Sequence, residues 1–181
     1  MALKNNVLGN MYALTVLTPV MPGSEAGLRE YLAGLAQDKS PLARLPRTHF
    51  GRWVIVDELH ADPSDRKTDV LGCQYLVFSA TLDGDLSSYL DELCEELAPE
   101  AEQIWGVCIG APHPTRGPAL KAYLLHNQIH TTLFFSAYPG STVADVRHSI
   151  ELRNQTLAFA VGAQGLEPET LQQAFRAEFG V

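Results

Sequence analysis

Cysteine is scarce in this chain. Cys73, Cys94 and Cys108 are its three thiols. They are too few and too scattered for a disulfide framework, and no Cys-x-x-Cys or Cys-x-x-Cys-His spacing joins them. They read as reduced, mostly buried thiols of a cytoplasmic protein. Excess positive charge is missing too: 13 Lys and Arg against 21 Asp and Glu leave a net charge of −8. Such a surface repels phosphates, so nucleic acid is not expected as a partner. No apolar run approaches the ~20 residues that a membrane span needs. The opening "MALKNNVLGNMYAL" lacks a signal peptide's apolar stretch and small-residue cleavage site, so no membrane partner is expected either. Gly-x-x-x-x-Gly-Lys-Ser/Thr, Gly-x-Gly-x-x-Gly and Gly-x-Ser-x-Gly are absent, which leaves phosphate loops and nucleophile elbows without support.

What is present suits one compact domain over residues 1–181, with hydrophobic residues at 46% and charged residues at 19%. A chain of this length buries about 70% of the surface its unfolded form exposes. "YALTVLTPV" (Tyr12–Val20) is β-branched and ends at a turn, "MPGS", so it reads as a strand. "SEAGLREYLAGLAQD" places Leu28, Tyr31, Leu32 and Leu35 on one helical stripe, with Ser24 as N-cap and Glu25–Arg29 as an i,i+4 pair. A second strand runs roughly Thr48 to Glu58, followed by the polar loop "HADPSDRKTD". "LGCQYLVFSATL" is a third strand. "DGDLSSYLDELCEELAP" is a helix with Leu86, Tyr89, Leu90, Leu93, Cys94 and Leu97 on one face, capped by Asp83 or Asp85 and stopped by Pro99. An insert over 99–128 holds a short helix, the loop "IGAPHPTRGP" and the helix "ALKAYLLHNQ". "IHTTLFFSAY" is a fourth strand. Helices over 141–181 close the chain, one behind a Thr142–Asp145 capping box and one carrying Leu171, Phe175 and Phe179.

The core, 11–138, is thus β-α-β-β-α-β, the ferredoxin-like order: an α+β antiparallel sheet with helices on one face. "ALTVLTPVMPGSEAGLREYL" and "HTTLFFSAYPGSTVADVRHSI" echo one another through strand, Pro-Gly-Ser and helix. In this element order, the strand–"PGSEAGLREYL" junction and the amphipathic second helix, the stretch from Tyr12 to Tyr138 resembles the dimeric α+β barrel superfamily. The resemblance implies that open sheet faces pair, within or between chains, around a ligand space. Physics gives a parallel reason. Val54-Ile55-Val56, Leu76-Val77-Phe78 and Leu133-Phe134-Phe135 are apolar without alternation, and such strands need cover on both faces. Either the extra helices or a partner sheet supplies the second cover; the partner sheet, and with it a homodimer, is the expectation, with the extra helices closing its rim.

The chemistry-bearing groups gather in "PRTHFGRWVIVDEL". Strand alternation puts His49, Gly51 and Trp53 on one face and Arg52 on the other, unless a bulge near Gly51 re-aims one of them. Either His49 and Trp53 stand over a ligand with Gly51 leaving room between them, or His49 and Arg52 decorate a solvated strand start and Trp53 is core. Gln74–Tyr75 and Tyr138 are further pocket candidates, and Arg116 and His113 could meet an anion from their loop. His126 and His130 stand at i,i+4, a metal-ligand spacing if one helix carries both.

The resemblance adds one option. Haem-binding branches of the superfamily hold iron through a histidine on a helix flanking the barrel, which implies His126 as axial ligand, Asn127 beside it and Arg52 or His49 opposite. Cofactor-free branches use small sets of Tyr, His, Trp and Asn instead. The expectation is an oxygenase- or peroxidase-like enzyme acting on a small hydrophobic or aromatic molecule. Its catalytic residues would be His49, Arg52, Trp53 and Tyr75, with haem or no cofactor. The alternative is a non-catalytic ligand-binding or dimerisation module of the same architecture.

Overall fold

The computed structural model describes residues 5–35, 40–57 and 71–180. The expected loop over 60–69, the end of the first helix over 36–38 and the strand terminus at 58 lie outside them. The chain divides into two compact units, 1–143 and 144–181.

The first unit is α+β. Strands β1 (Val7–Leu8), β2 (Met11–Pro19), β3 (Thr48–Val56) and β4 (Tyr75–Asp83) form one antiparallel sheet in the order β1-β2-β4-β3. Helices α1 (Glu25–Gly34), α2 (Leu86–Glu96), α3 (Ala98–Ile104) and α4 (Gly117–His126) complete the unit. In β4, Leu76, Phe78, Ala80 and Leu82 are buried and their odd-numbered neighbours up to Thr81 are not fully so, which is the period of a sheet covered on one face. The buried face packs against Leu28 of α1, Tyr89, Leu90 and Leu93 of α2, Ile104 of α3, and Leu120 and Leu124 of α4. An aromatic knot sits in this layer. The Trp53 and Phe78 rings stack at 5.3 Å, and Trp105 meets Phe78 edge-on at 5.6 Å.

Several local expectations take a specific form. Asp85 is the N-cap of α2, accepting from the Ser88 amide at 2.9 Å. Ser24 stands at the start of α1, but its side chain makes no capping bond; instead the Glu25 carboxylate accepts from the Gly23 amide at 2.7 Å. Arg29 pairs with Asp57 at 3.1 Å.

One expected strand does not form. Residues 129–138 form no regular element and bend at Thr132 and Ala137; Gln128 bridges β2 opposite Val16, flanked by backbone bonds from Leu17 to Asn127 and from Ile129 to Thr15. The reason is competition for an edge. β1 turns back through Gly9–Asn10, with Gly9 at φ +59°, and Val7 and Leu8 pair with Tyr12 and Met11. Asn6 extends the occupation: its carbonyl accepts from the Ala13 amide, and its side chain bonds the Ala13 carbonyl and the Thr131 amide. The upstream hairpin thus holds the stretch of β2 that a full fourth strand would pair with. The β-α-β-β-α portion of the expected order is present; its closing strand is replaced by β1.

The second unit is helical. It comprises α5 (Val143–Gly162), apart from its first residue, and α6 (Pro168–Phe179), which ends at Gly180 with φ +68°. Phe159 meets Phe175 and Phe179 edge-on at 5.7 and 5.5 Å, and the Gln155 amide donates to the Glu178 carbonyl and carboxylate. No described helix is long and apolar enough to cross a membrane.

Candidate functional site

Two faces of β3 do different work, and a bulge separates them. Arg52, Trp53 and Val54 pair with Ser79, Phe78 and Val77 in regular register, but the register shifts between Thr48 and Phe50. His49 is the extra residue. Below the bulge, Thr48 lies opposite Leu82 and its hydroxyl meets the Tyr89 hydroxyl at 2.9 Å. His49 itself turns to Asp83, with Nε2 2.7 Å from Oδ1, and both side chains are largely buried. The other carboxylate oxygen of Asp83 accepts from the Val143 amide at 2.7 Å. A buried carboxylate is thereby matched by two polar partners, as desolvation requires. Arg47 ties the strand start to α2 through Glu92 at 3.0 Å and Ser88 at 3.0 Å, its guanidinium lying over the Tyr89 ring.

The structure does not gather the four expected catalytic side chains at one point. Trp53 is in the aromatic knot on the helix-covered face, and its indole N–H has no acceptor among the described residues. Arg52 lies on the opposite face. Tyr75 and Asp83 are each four residues along β4 from Ser79, Arg52's neighbour, or roughly 13 Å of strand in either direction. Tyr75 stays a phenol more firmly than usual, because its hydroxyl shares a hydrogen bond with the Cys73 thiol. Gly51 leaves room on the core side rather than for a ligand between His49 and Trp53: a Cβ there would stand 2.6 Å from Leu42 Cδ1.

His126 is the last residue of α4 and is exposed, as is His130 beyond the helix end, so one helix does not carry both. Asn127 bonds back to the Tyr123 carbonyl. Their apolar neighbours Leu125 and Ile129 are exposed, and neither His126 nor Asn127 lines the hollow that Arg52 lines. Among the described residues no three His, Cys, Asp or Glu side chains cluster as a metal site would need. In the 109–118 loop, His113 approaches Glu102 at 3.4 Å, and Glu102 also accepts from the Thr115 amide. These contacts hold the Glu102 carboxyl below its usual range, the Thr115 bonds contributing most.

No family model, curated protein or solved structure matches this chain. The site must speak through its own geometry.

That geometry points to the outer face of the sheet. Phe50 is 78% exposed and Val54 41%. Leu133 and Phe135, in the segment that follows Gln128, are 85% and 80% exposed. Phe50 and Leu133 line an open trough of about 540 Å³. Its floor is made by Ala13, Thr15, Ser79 and Thr81, its walls by Phe50, Leu133 and Phe134, and Arg52 reaches into it. A single Arg on an otherwise uncharged, half-apolar surface can orient a ligand, whereas the buried His49–Asp83 pair is spent on structure. Sequence reasoning found Arg52 through its crowded motif. It missed Thr15, Ser79 and Thr81, which are ordinary strand residues until the register sets them side by side, and it missed Asp83's second partner.

Proposed function

We propose that this chain is a small-molecule binding module of the α+β barrel type. In this reading the outer face of β2–β4–β3 meets the same face of a second copy, and the trough holds a ligand between them. One observation carries it: the outer face, where exposed Phe50 and Leu133 line a hollow and Val54, further along β3, is exposed too. Contiguous exposed apolar surface marks interaction or ligand sites in folded proteins. Such a patch on the edge strand β3 also demands cover against aggregation.

Binding is favoured over catalysis by the position of the proton-transfer groups. His49 is locked to Asp83, Tyr75 is at the far end of β4, and Trp53 belongs to the core. A general base needs hydrogen-bond reach to the atom it serves. The trough is lined by hydroxyls, apolar groups and one guanidinium.

The test is Phe50→Asp, which places a charge at the wall of the trough on the edge strand β3 while leaving the helix-covered core untouched. The wild-type chain is expected to sediment as a dimer and to bind the neutral dye N-phenyl-1-naphthylamine saturably. The variant is expected to keep its far-ultraviolet circular dichroism, sediment as a monomer and lose the dye. A variant that stays dimeric and binds the dye as before would remove this face from the account.

A further inference from the structure

Building on that outer-face reading, we propose that the trough selects an amphipathic monoanion, a carboxylate on an aliphatic or aromatic body, with Arg52 gripping the charged head. The sheet register lays out this chemistry in rows. Arg52, Ser79 and Thr15 lie side by side across three strands, because Arg52 pairs with Ser79 and Ser79 with Thr15. Two residues along, about 7 Å away, the row Val54, Val77 and Leu17 is wholly apolar. On the other side Phe50 adjoins Thr81 and, with Phe134 and Leu133, walls the trough. A polar row with a wholly apolar row on one side and Phe50 and Ala13 beside Thr81 on the other is the complement of a molecule with a charged head and a greasy body.

Charge complementarity fixes the sign. Arg29, Arg44 and Arg47 each meet a carboxylate. Arg52 instead donates through Nε to Ser79 Oγ at 3.2 Å and meets no carboxylate among the described residues. That bond steadies the side chain and leaves both terminal nitrogens for a forked grip on two oxygens. In a molecule of net charge −8, Arg52 is the one charged side chain that lines this hollow among the described residues. One guanidinium beside neutral hydroxyls balances a single negative charge; a phosphate monoester calls for more. The hollow of about 540 Å³ falls within the range of small-molecule sites.

Competition for bound N-phenyl-1-naphthylamine by octanoate and by octanol tests the assignment, because the two share a chain and differ in the head. Octanoate is expected to displace the dye at lower concentration. Arg52→Gln is expected to weaken octanoate by about tenfold or more and to leave octanol and the dye within about twofold. Arg52 is exposed and holds one hydroxyl bond, so an unchanged melting temperature serves as the control for folding. Equal displacement by octanol and octanoate in the wild type would overturn anion selection while leaving the outer face as the binding surface. Loss of octanoate selectivity in Arg52→Gln with retention of dye binding supports it. Dye binding that survives Phe50→Asp unchanged overturns the outer-face reading, and this inference falls with it.

Discussion

At the scale of single residues, side chains that are neighbours in sequence serve unrelated ends. Arg47 fastens β3 to α2, His49 satisfies a buried carboxylate, Trp53 stacks in the core, and Arg52 stands on the outer face. Strand alternation explains the separation of Arg52 from Trp53; one extra residue at His49 explains the rest. The thiols are equally determined by place. Burial pushes the Cys94 and Cys108 thiols up to about 11, with Asp91 adding to the effect at Cys94 and Thr18 opposing it at Cys108. At pH 8 about one in a thousand of each is then thiolate. Iodoacetamide at that pH should leave both unmodified in the native protein and label them in urea; rapid native labelling would show that α2 or the 105–108 turn is not packed as described. The linkage sign follows. A thiol pKa raised on folding adds stability that is complete below the unfolded value and is lost as pH rises. Alkaline weakening should therefore set in near pH 9 and run to about 11.

At the scale of elements, Asp83 is where three segments converge. It ends β4, takes the bulge of β3 through His49, and receives the Val143 amide at the first residue of α5. Asp83→Ala strips two buried donors of their acceptor at once and should cost about 2–3 kcal/mol. Urea titration reads this as a fall in midpoint with an unchanged slope; a loss below about 0.5 kcal/mol would mean that neither bond matters. Much of this level was legible beforehand. The stripe Leu86–Tyr89–Leu90–Leu93 predicts α2, and the strands expected roughly over Thr48 to Glu58 and in "LGCQYLVFSATL" find their counterparts in β3 and β4, because periodicity reports which faces are buried. The segment 129–138 reads equally well as a strand and is not one. Local sequence carries its β-propensity, while the edge it needs is held by Asn6 to Leu8, more than a hundred residues away. The Gly9–Asn10 hairpin that decides the competition is not read from the sequence, which places the first strand at Tyr12.

At the scale of the whole molecule, the chain holds two units, and the first of them is a half-clothed sheet. One face is sealed by four helices and an aromatic knot; the other presents Phe50, Val54 and a trough with one cation. The apolar, non-alternating strands announce that both faces want cover, yet they cannot say what covers the second. Register supplies what composition could not, by aligning Thr15, Ser79 and Arg52 into a polar row. The account stands on that outer face being where ligand arrives. A ¹⁵N–¹H correlation spectrum titrated with octanoate locates the contact residue by residue. Shifts concentrated at Thr15, Phe50, Arg52, Ser79 and Thr81 are the expected result; shifts concentrated at Ile150, Leu157 and Phe175 of the helical unit, with the sheet silent, would contradict it.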